Sequence, residues 1–265
     1  MTTIDEMLDA LWRDYVAQAP QALRIHRLLG ERGERVRNDH IALRTYGLPG
    51  IGISALAAPF EAHGWQRRDR YRFDDKHLIA YYWQHPDPLR PKVFISELCV
   101  SEMAFGTQQI IDRLVAQLPR DFGARADLPW AGRPWQIKRA EYETMILGSE
   151  YAAWVGAFGF RVNHFTVDVN HLTTFPDLQS LDAFLVEHGF RLNDAGGAIK
   201  GTRAECLEQS STRADSIAVE FSDGTLEIPS CYYEFAKRHR LPSGELFQGF
   251  VPASADKIFE STDRK

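Results

Sequence analysis

The architecture of this chain follows from the segment Asn38-Asp39-His40-Ile41-Ala42-Leu43-Arg44-Thr45, which has a counterpart in Val162-Asn163-His164-Phe165-Thr166-Val167-Asp168. Each segment is strand-like and carries a histidine near its start. Each leads to a helical segment that ends in a His-Gly-aromatic tripeptide, His63-Gly64-Trp65 or His188-Gly189-Phe190, where the glycine favours a helix C-cap. The first histidine precedes that glycine by 24 residues in one unit and by 25 in the other. This recurrence predicts two copies of one structural unit.

Further strands are expected after each predicted helix. In the first unit they cover residues 70–73, 78–84 and 92–98, which are rich in β-branched and aromatic side chains. In the second unit they cover residues 216–221 and 226–235, with Asp223-Gly224 as a hairpin turn. Two tandem βαβββ modules predict an α+β fold whose curved sheets enclose a cleft, with one histidine from each module inside it.

The remaining segments complete a predicted single domain of residues 1–265. Residues 1–37 form a helical N-terminal segment, which begins with a capping box of Thr3 and Glu6. The first module covers 38–100, a helical connector covers 101–158, the second module covers 159–238, and 239–265 form a tail with a closing helix over 254–261. Because the connector contains no histidine, we expect it to be a cover rather than part of a site.

Composition restricts the class of protein. The 265 residues include 31 basic and 36 acidic ones, which give a net charge of −5 without a basic stripe, so no nucleic-acid partner is expected. No apolar run approaches the ~20 residues of a membrane span, and the first residues show no signal-peptide pattern. Three widely spaced cysteines predict reduced thiols and a cytoplasmic location. The oligomeric state is not predicted.

A metal site is predicted from the two repeated histidines. Side chains two residues apart on a strand share a face, which places His40 and His164 toward the cleft. Glu234 lies in the apolar run Cys231-Tyr232-Tyr233-Glu234-Phe235-Ala236, where a buried carboxylate needs a partner or a metal. Two histidines and one carboxylate form the facial triad typical of non-haem iron(II) oxygenases. We therefore predict Fe²⁺ as cofactor, with His40, His164 and Glu234 as ligands and catalytic residues.

Other interpretations of these acidic residues remain open. Glu234 could pair with Lys237 or Arg238 and have no chemical role. Glu227, on the same predicted strand, is a rival ligand, although it lies nearer the turn at the strand's rim. Glu97 lies in the first unit where Glu234 lies in the second, so it could support the site or be a remnant of the duplication.

Substrate-binding residues are expected beside the predicted metal. Arg44 shares a strand face with His40, and its planar guanidinium suits a carboxylate. The small Ala42 between them leaves room for a ligand. The polar cluster Ser210-Ser211-Thr212 offers hydroxyls, although a turn explains it equally well.

Five segments, in order, resemble the 2-oxoadipate dioxygenase/decarboxylase family, whose modules are similar to those of the vicinal oxygen chelate superfamily. The resemblance covers residues 38–261, and the chain is similar to a short form that lacks the insertions of longer members. The segments are Asn38-Asp39-His40-Ile41-Ala42-Leu43-Arg44-Thr45, Pro91-Lys92-Val93-Phe94-Ile95-Ser96-Glu97-Leu98, Val162-Asn163-His164-Phe165-Thr166, Glu208-Gln209-Ser210-Ser211-Thr212 and Tyr232-Tyr233-Glu234-Phe235-Ala236-Lys237-Arg238.

The resemblance implies both residue roles and a reaction. It implies that His40, His164 and Glu234 hold iron, that Arg44 binds substrate, and that the loop containing Ala253 caps the pocket. The implied reaction converts 2-oxoadipate and dioxygen into 2-hydroxyglutarate and carbon dioxide, a late step of lysine catabolism. The partners are thus a small 2-oxo dicarboxylic acid and dioxygen.

Two alternative functions fit the same modules. A glyoxalase-type isomerase or lyase would use another divalent metal without oxygen, and four protein ligands, with Glu97 as the fourth, would favour it. A non-catalytic module that binds a small dicarboxylate would show ligand-induced stabilisation without any product.

Overall fold

The computed structural model of the protein describes residues 2–254. Two helices open the chain, α1 (Ile4–Gln18) and α2 (Pro20–Glu31). The predicted capping box is present, with the Thr3 hydroxyl accepting from the Glu6 amide at 3.2 Å. Helix α1 packs on the main sheet through its aromatic side chains. The Tyr15 hydroxyl donates to the Tyr232 carbonyl at 2.5 Å, and the Trp12 ring meets Phe165 edge-on at 5.0 Å.

The first module and the connector follow the predicted order. The module consists of β1 (Asn38–Tyr46), α3 (Ile53–Ala62), β2 (Gln66–Phe73), β3 (Leu78–Gln84) and β4 (Lys92–Leu98). The connector contains α4 (Phe105–Val115), α5 (Arg139–Gly148) and α6 (Glu150–Phe158). The end of the predicted helical connector is divided into α5 and α6, because Ser149 leaves the helical conformation and caps α6 through the Ala152 amide.

The second module begins with β5 (Val162–Asp168) and α7 (Leu178–Glu187) and continues with β6 (Lys200–Thr202), β7 (Leu207–Ser211) and β10 (Tyr232–Arg238). A hairpin of β8 (Ser216–Phe221) and β9 (Gly224–Pro229) lies between β7 and β10. Helices α3 and α7 end before Gly64 and Gly189, whose φ values of 99° and 83° confirm the predicted C-caps.

One eight-stranded sheet joins the two modules in the order β2-β3-β4-β1-β5-β10-β7-β6. Within each half the first and last strands are parallel, β1 with β4 and β5 with β10. The halves meet where β1 runs antiparallel to β5. The second half therefore repeats the first in reverse order, which brings the two histidine-bearing strands side by side at the centre.

The prediction for the end of the second module was wrong in two respects. The expected strand over 226–235 is interrupted at Ser230-Cys231, and its first part belongs to the separate β8–β9 sheet. The module instead uses β6 and β7, which were not predicted as strands. Strand β7 contains Glu208-Gln209-Ser210-Ser211, so it lacks the apolar alternation that marks a strand in sequence.

Helices cover the convex face of the sheet and close one end of the concave face. Helices α1, α3 and α7 pack on the convex side, whereas α6 lies against the end of β1 that carries Arg44. Of the predicted closing helix over 254–261, only Ser254 falls within the described residues. Among residues 2–254, no helix is both long enough and apolar enough to cross a membrane.

Candidate metal centre

Three adjacent strands bring the predicted ligands together. His40 on β1, His164 on β5 and Glu234 on β10 are all buried, and one potential ligand atom from each lies within 4.8 Å of the others. Nε2 of His40 is 3.5 Å from Oε1 of Glu234, and Nε2 of His164 is 3.2 Å from Oε2. Within the described part of the chain, this is the cluster of histidine and carboxylate groups that could hold a metal ion.

Two β-bulges aim the histidines into the cleft. Between β1 and β5, the pairing shifts by one residue at Asp39 and again at Asn163, so each strand carries one extra residue immediately before its histidine. A bulge lets two consecutive side chains point the same way. Asp39 Oδ1 consequently lies 2.8 Å from Nδ1 of His40, and Asn163 Oδ1 lies 3.0 Å from Nδ1 of His164. The repeat thus preserves a histidine together with a neighbour that accepts from its Nδ1–H.

These hydrogen bonds decide which ring nitrogen faces Glu234. An ionised Asp39 can only accept, so Nδ1 of His40 must carry the proton and Nε2 presents its lone pair. The hydrogen bond to Asn163 gives His164 the same tautomer, so its Nε2 lone pair faces Oε2 of Glu234. This Oε2 has no hydrogen-bond partner within the described structure. Buried acceptors that face one another repel unless a cation lies between them. The residues therefore fit a divalent metal ion, with Nε2, Nε2 and the carboxylate as ligands.

The electrostatic environment keeps His164 available as a neutral ligand. Burial, followed by the charges of His40 and Arg44, holds the pKa of His164 well below its usual value. Burial raises the pKa of Glu234, although His40 and the hydrogen bond from Gln209 act in the opposite direction. A bound cation would remove the cost of ionising Glu234, because it would face the carboxylate directly.

Gln209 supports the carboxylate from β7. Its Nε2 donates to Oε1 of Glu234 at 2.6 Å, which leaves Oε2 toward His164. Gln209 and Ser211 lie opposite Ala236 and Glu234 in the β7–β10 register, so they share the concave face. Sequence reasoning missed Gln209 because β7 itself was not predicted.

Arg44 lies at the closed end of the cleft. Its guanidinium is buried between two rings of α6, with its central carbon 5.2 Å from the Tyr151 centroid and 5.3 Å from the Trp154 centroid. Its charge contributes to the lowered pKa of His164, as expected for a cation near the metal site. The expectation that the connector only covers the fold was wrong, since α6 supplies both of these rings.

One of the predicted substrate residues, Ser210, does not face the centre. Ser210 points to the convex side, where its hydroxyl donates to Asp182 of α7 at 2.7 Å, because alternate residues of β7 face opposite ways. Within that cluster, Ser211 is the residue that faces the cleft, together with the preceding Gln209. Ala253 is exposed, and the expectation that its loop caps the pocket stays a prediction.

The rival acidic residues lie away from the triad. Glu227 is exposed on β9, in the separate hairpin. Glu97 is three positions beyond the true counterpart of Glu234, since Phe94 pairs with Ala42 as Glu234 pairs with Thr166. Glu97 lies on the convex side and accepts from the first amide of α3, at Ile53, at 2.8 Å. Phe94 therefore occupies the position in the first module that Glu234 occupies in the second. Because Phe94 cannot bind a metal, a fourth ligand at this position, which would favour the isomerase, is missing.

Asp39, Asn163 and Gln209 are functional candidates that sequence reasoning did not find. One signal was present, namely an Asp or Asn immediately before each repeated histidine. The alternation of side chains along a regular strand would place these residues on the convex side, and only the bulges bring them into the cleft.

Similarity to known proteins extends over most of the chain. The sequence profile of the 2-oxoadipate dioxygenase/decarboxylase family matches residues 2–126 and 129–247. The chloroplastic 2-oxoadipate dioxygenase/decarboxylase of Arabidopsis thaliana is 37% identical over 255 residues, covering 84% of this chain and 67% of that protein.

Solved structures share the whole architecture. The hydroxyglutarate synthase of Oryza sativa, in complex with 2-oxoadipate, has a TM-score of 0.91 at 32% identity, covering 97% of this chain and 90% of that one. A protein of Shewanella frigidimarina NCIMB 400, described as a presumed hydrolase, also has a TM-score of 0.91, at 44% identity and with 96% and 99% of the two chains covered.

A glyoxalase superfamily protein from Ralstonia eutropha JMP134, at 20% identity, has a TM-score of 0.74 and covers 92% of this chain and 84% of its own. This likeness concerns the fold alone, and it confirms the expected modules of vicinal oxygen chelate type. The family profile and the relatives agree, and the chain belongs to the 2-oxoadipate dioxygenase/decarboxylase family.

Proposed function

We propose that this protein is an iron(II)-dependent enzyme that converts 2-oxoadipate and dioxygen into 2-hydroxyglutarate and carbon dioxide. Family membership supports the reaction, and the facing lone pairs of His164 and Glu234 carry the proposal of a metal. The choice of Fe²⁺ rests on the donor set, since two histidines and one carboxylate leave open positions for substrate and dioxygen. The atoms balance without a co-substrate, because one oxygen atom of dioxygen enters the new carboxylate and the other enters the hydroxyl group.

The polar groups of the cleft suit a small dicarboxylate. Asp39 and Arg238 pair with each other, and Arg44 adds a buried cation to the side of the cleft that carries Glu234. A divalent ion would add to the positive charge and favour a doubly charged substrate. The Arg44 fork matches a carboxylate in two parallel hydrogen bonds, and the flanking rings of Tyr151 and Trp154 restrict its orientation.

The chain's own residues orient the reactants and exclude water. His40, His164 and Glu234 would hold the ion, which when bound activates dioxygen and polarises the 2-oxo group. We assign to Arg44 the capture of one substrate carboxylate. Tyr232 stacks on the His164 ring at 4.6 Å and Phe250 meets the His40 ring edge-on at 4.9 Å, so aromatic surface shields the ligands.

Oxygen uptake by anaerobically iron-loaded protein tests this function. We expect uptake with 2-oxoadipate in equal amounts with 2-hydroxyglutarate and carbon dioxide, and little with 2-oxoglutarate. The variants H40A and H164A should lose iron and turnover. H188A is the matched control, because His188 is the other repeated histidine of the second module, is exposed, and contacts the Phe184 carbonyl at 2.8 Å.

Two results would contradict the proposal. If the protein holds iron but consumes no oxygen with any of these 2-oxo acids, the isomerase or the dicarboxylate-binding module becomes the better hypothesis. Full activity of H164A would overturn the ligand assignment.

A cytoplasmic location is likewise our proposal, and the Arabidopsis relative is named as chloroplastic.

A further inference from the structure

Arg238 is a buried cation at the end of β10, four residues beyond Glu234. Its Nε and Nη2 donate to the two carboxylate oxygens of Asp39 at 2.6 and 2.9 Å. Its Nη1 donates to the carbonyls of Gly249 at 2.7 Å and of Phe247 at 3.2 Å. One guanidinium therefore joins β1 to residues 247–250, which we call the strap.

Both partners of Arg238 contact His40. Asp39 accepts from Nδ1 of His40 at 2.8 Å. Phe250, at the end of the strap, meets the His40 ring at 4.9 Å with the planes at 88°, and its own ring lies 5.3 Å from the Arg238 guanidinium carbon. The His40 ring is thus held by a hydrogen bond along its edge and by an aromatic contact.

The second histidine also has a hydrogen bond and an aromatic contact, with Asn163 and Tyr232, but its hydrogen-bond partner carries no charge. The partner of its Nδ1 is the neutral Asn163, whose own Nδ2 has no hydrogen-bond partner within residues 2–254. The two halves of the repeat therefore differ in charge at one position. A charge-assisted hydrogen bond is about twice as strong as a neutral one, so His40 is the more firmly oriented ligand.

Asp39 is buried beside two cations, Arg238 and Lys92. Arg238 has the bidentate geometry and the greater burial of the two cations. Without it, the acceptor beside His40 would be a buried carboxylate with its main counter-charge removed.

We propose that Arg238 is a positioning residue, which orients His40 for metal binding by fixing Asp39 and also ties the strap over the same ring. This inference rests on the proposed metal centre and goes beyond it, since Arg238 is not among the clustered ligands. A purely structural ion pair would contribute to stability but would leave the affinity of the folded protein for metal unchanged.

The experiment measures Co²⁺ affinity and the visible Co²⁺ spectrum of the purified protein, with chelator competition to fix the free metal concentration. We expect R238M to bind Co²⁺ about 10- to 100-fold more weakly, the usual range for loss of a group that supports a metal ligand, and to show an altered spectrum. Y71F is the matched control, because the Tyr71 hydroxyl holds the strap through the Phe250 amide at 3.1 Å without touching Asp39. Y71F should keep its Co²⁺ affinity within about twofold.

A double-mutant cycle tests whether Arg238 acts through Asp39. D39N copies the Asn163–His164 arrangement, and the loss in D39N/R238M should be smaller than the product of the two single losses. Near-UV circular dichroism confirms folding, and R238K replaces R238M if the latter does not fold, since lysine keeps the charge but lacks the fork.

Unchanged Co²⁺ affinity in folded R238M, multiplicative losses in the cycle, or an equal loss in Y71F would each overturn the inference. Parent protein that binds no Co²⁺ would instead overturn the metal centre itself. The two failures are therefore distinguishable.

Discussion

A single side chain, Arg44, determines how the cleft can recognise an acid. It is buried between Tyr151 and Trp154, so its guanidinium plane is fixed before any ligand arrives. Arg44→Lys keeps the charge but loses the planar fork. Since hydrogen bonds to charged groups contribute about 1.5–3 kcal/mol each, we expect KM for 2-oxoadipate to rise about 10- to 100-fold. Steady-state kinetics with iron-saturated protein measures this change.

Co²⁺ affinity is the control for the Arg44 variant. It should change little, because Arg44 is not among the clustered ligands. Unaltered KM in R44K would show that the substrate carboxylate binds elsewhere in the cleft.

At the same scale, the triad was predictable and its supporting residues were not. His40 and His164 could be found because the repeat marks them, and Glu234 because a carboxylate within an apolar run needs a partner. Asp39 and Asn163 were missed because an inserted residue breaks the alternation on which strand patterns depend. Ser210 was assigned wrongly by one position, which on a strand is the opposite face.

At the scale of elements, the contact between α7 and β7 contains a carboxyl group, that of Asp182, whose pKa is raised. Asp182 is buried, and its Oδ1 accepts from Ser210 while its Oδ2 has no hydrogen-bond partner within residues 2–254. Burial raises its pKa from 3.8 to about 6. The folded state therefore binds this proton more tightly than the unfolded state does, and stability from this group falls as pH rises from about 4 to about 6.

Asp182→Asn should remove that loss while keeping an acceptor for Ser210. The shift from 3.8 to about 6 corresponds to an upper value of about 3 kcal/mol, so D182N should be more stable than the parent by about 1–3 kcal/mol above pH 7. At about pH 4.5 the gain should be smaller by up to about 2 kcal/mol, because the folded state then keeps the Asp182 proton. Urea unfolding at about pH 4.5 and about pH 7.5 measures the difference, and an equal effect at both pH values would contradict the assigned pKa.

The elements differ in how far sequence patterns reveal them. Strands β3, β4 and β5 were predicted with their observed bounds, because apolar and aromatic side chains fill them. Strand β7 was not, since Glu234 on β10 requires polar neighbours and these hide the strand pattern. The break between β9 and β10 was missed because the apolar residues of both strands form one run in sequence.

For the whole molecule, the metal would connect two halves of one sheet. His40 belongs to the first module, whereas His164 and Glu234 belong to the second. An ion bound at the junction should therefore stabilise the folded protein against unfolding. At a free concentration of about 100 times Kd, the gain is about 2.7 kcal/mol, which corresponds to a rise in Tm of about 5–10 °C.

Thermal unfolding with Co²⁺ and after chelation by EDTA measures this rise. The difference between the Tm with Co²⁺ and the Tm after chelation should vanish in H164A and persist in H188A. A parent protein whose Tm is the same in both conditions would indicate that no ion bridges the modules.

The paired bulges make the centre depend on the number of residues in each strand as much as on their identity. Each histidine follows one surplus residue, Asp39 or Asn163, and beyond the second of these the offsets on the two strands cancel, so pairing elsewhere along the junction remains regular. Substitutions leave this count intact. Loss or gain of one residue ahead of either histidine would turn that ring to the convex side, so evolution can vary the chemistry of the cleft by point changes far more easily than by changes in chain length.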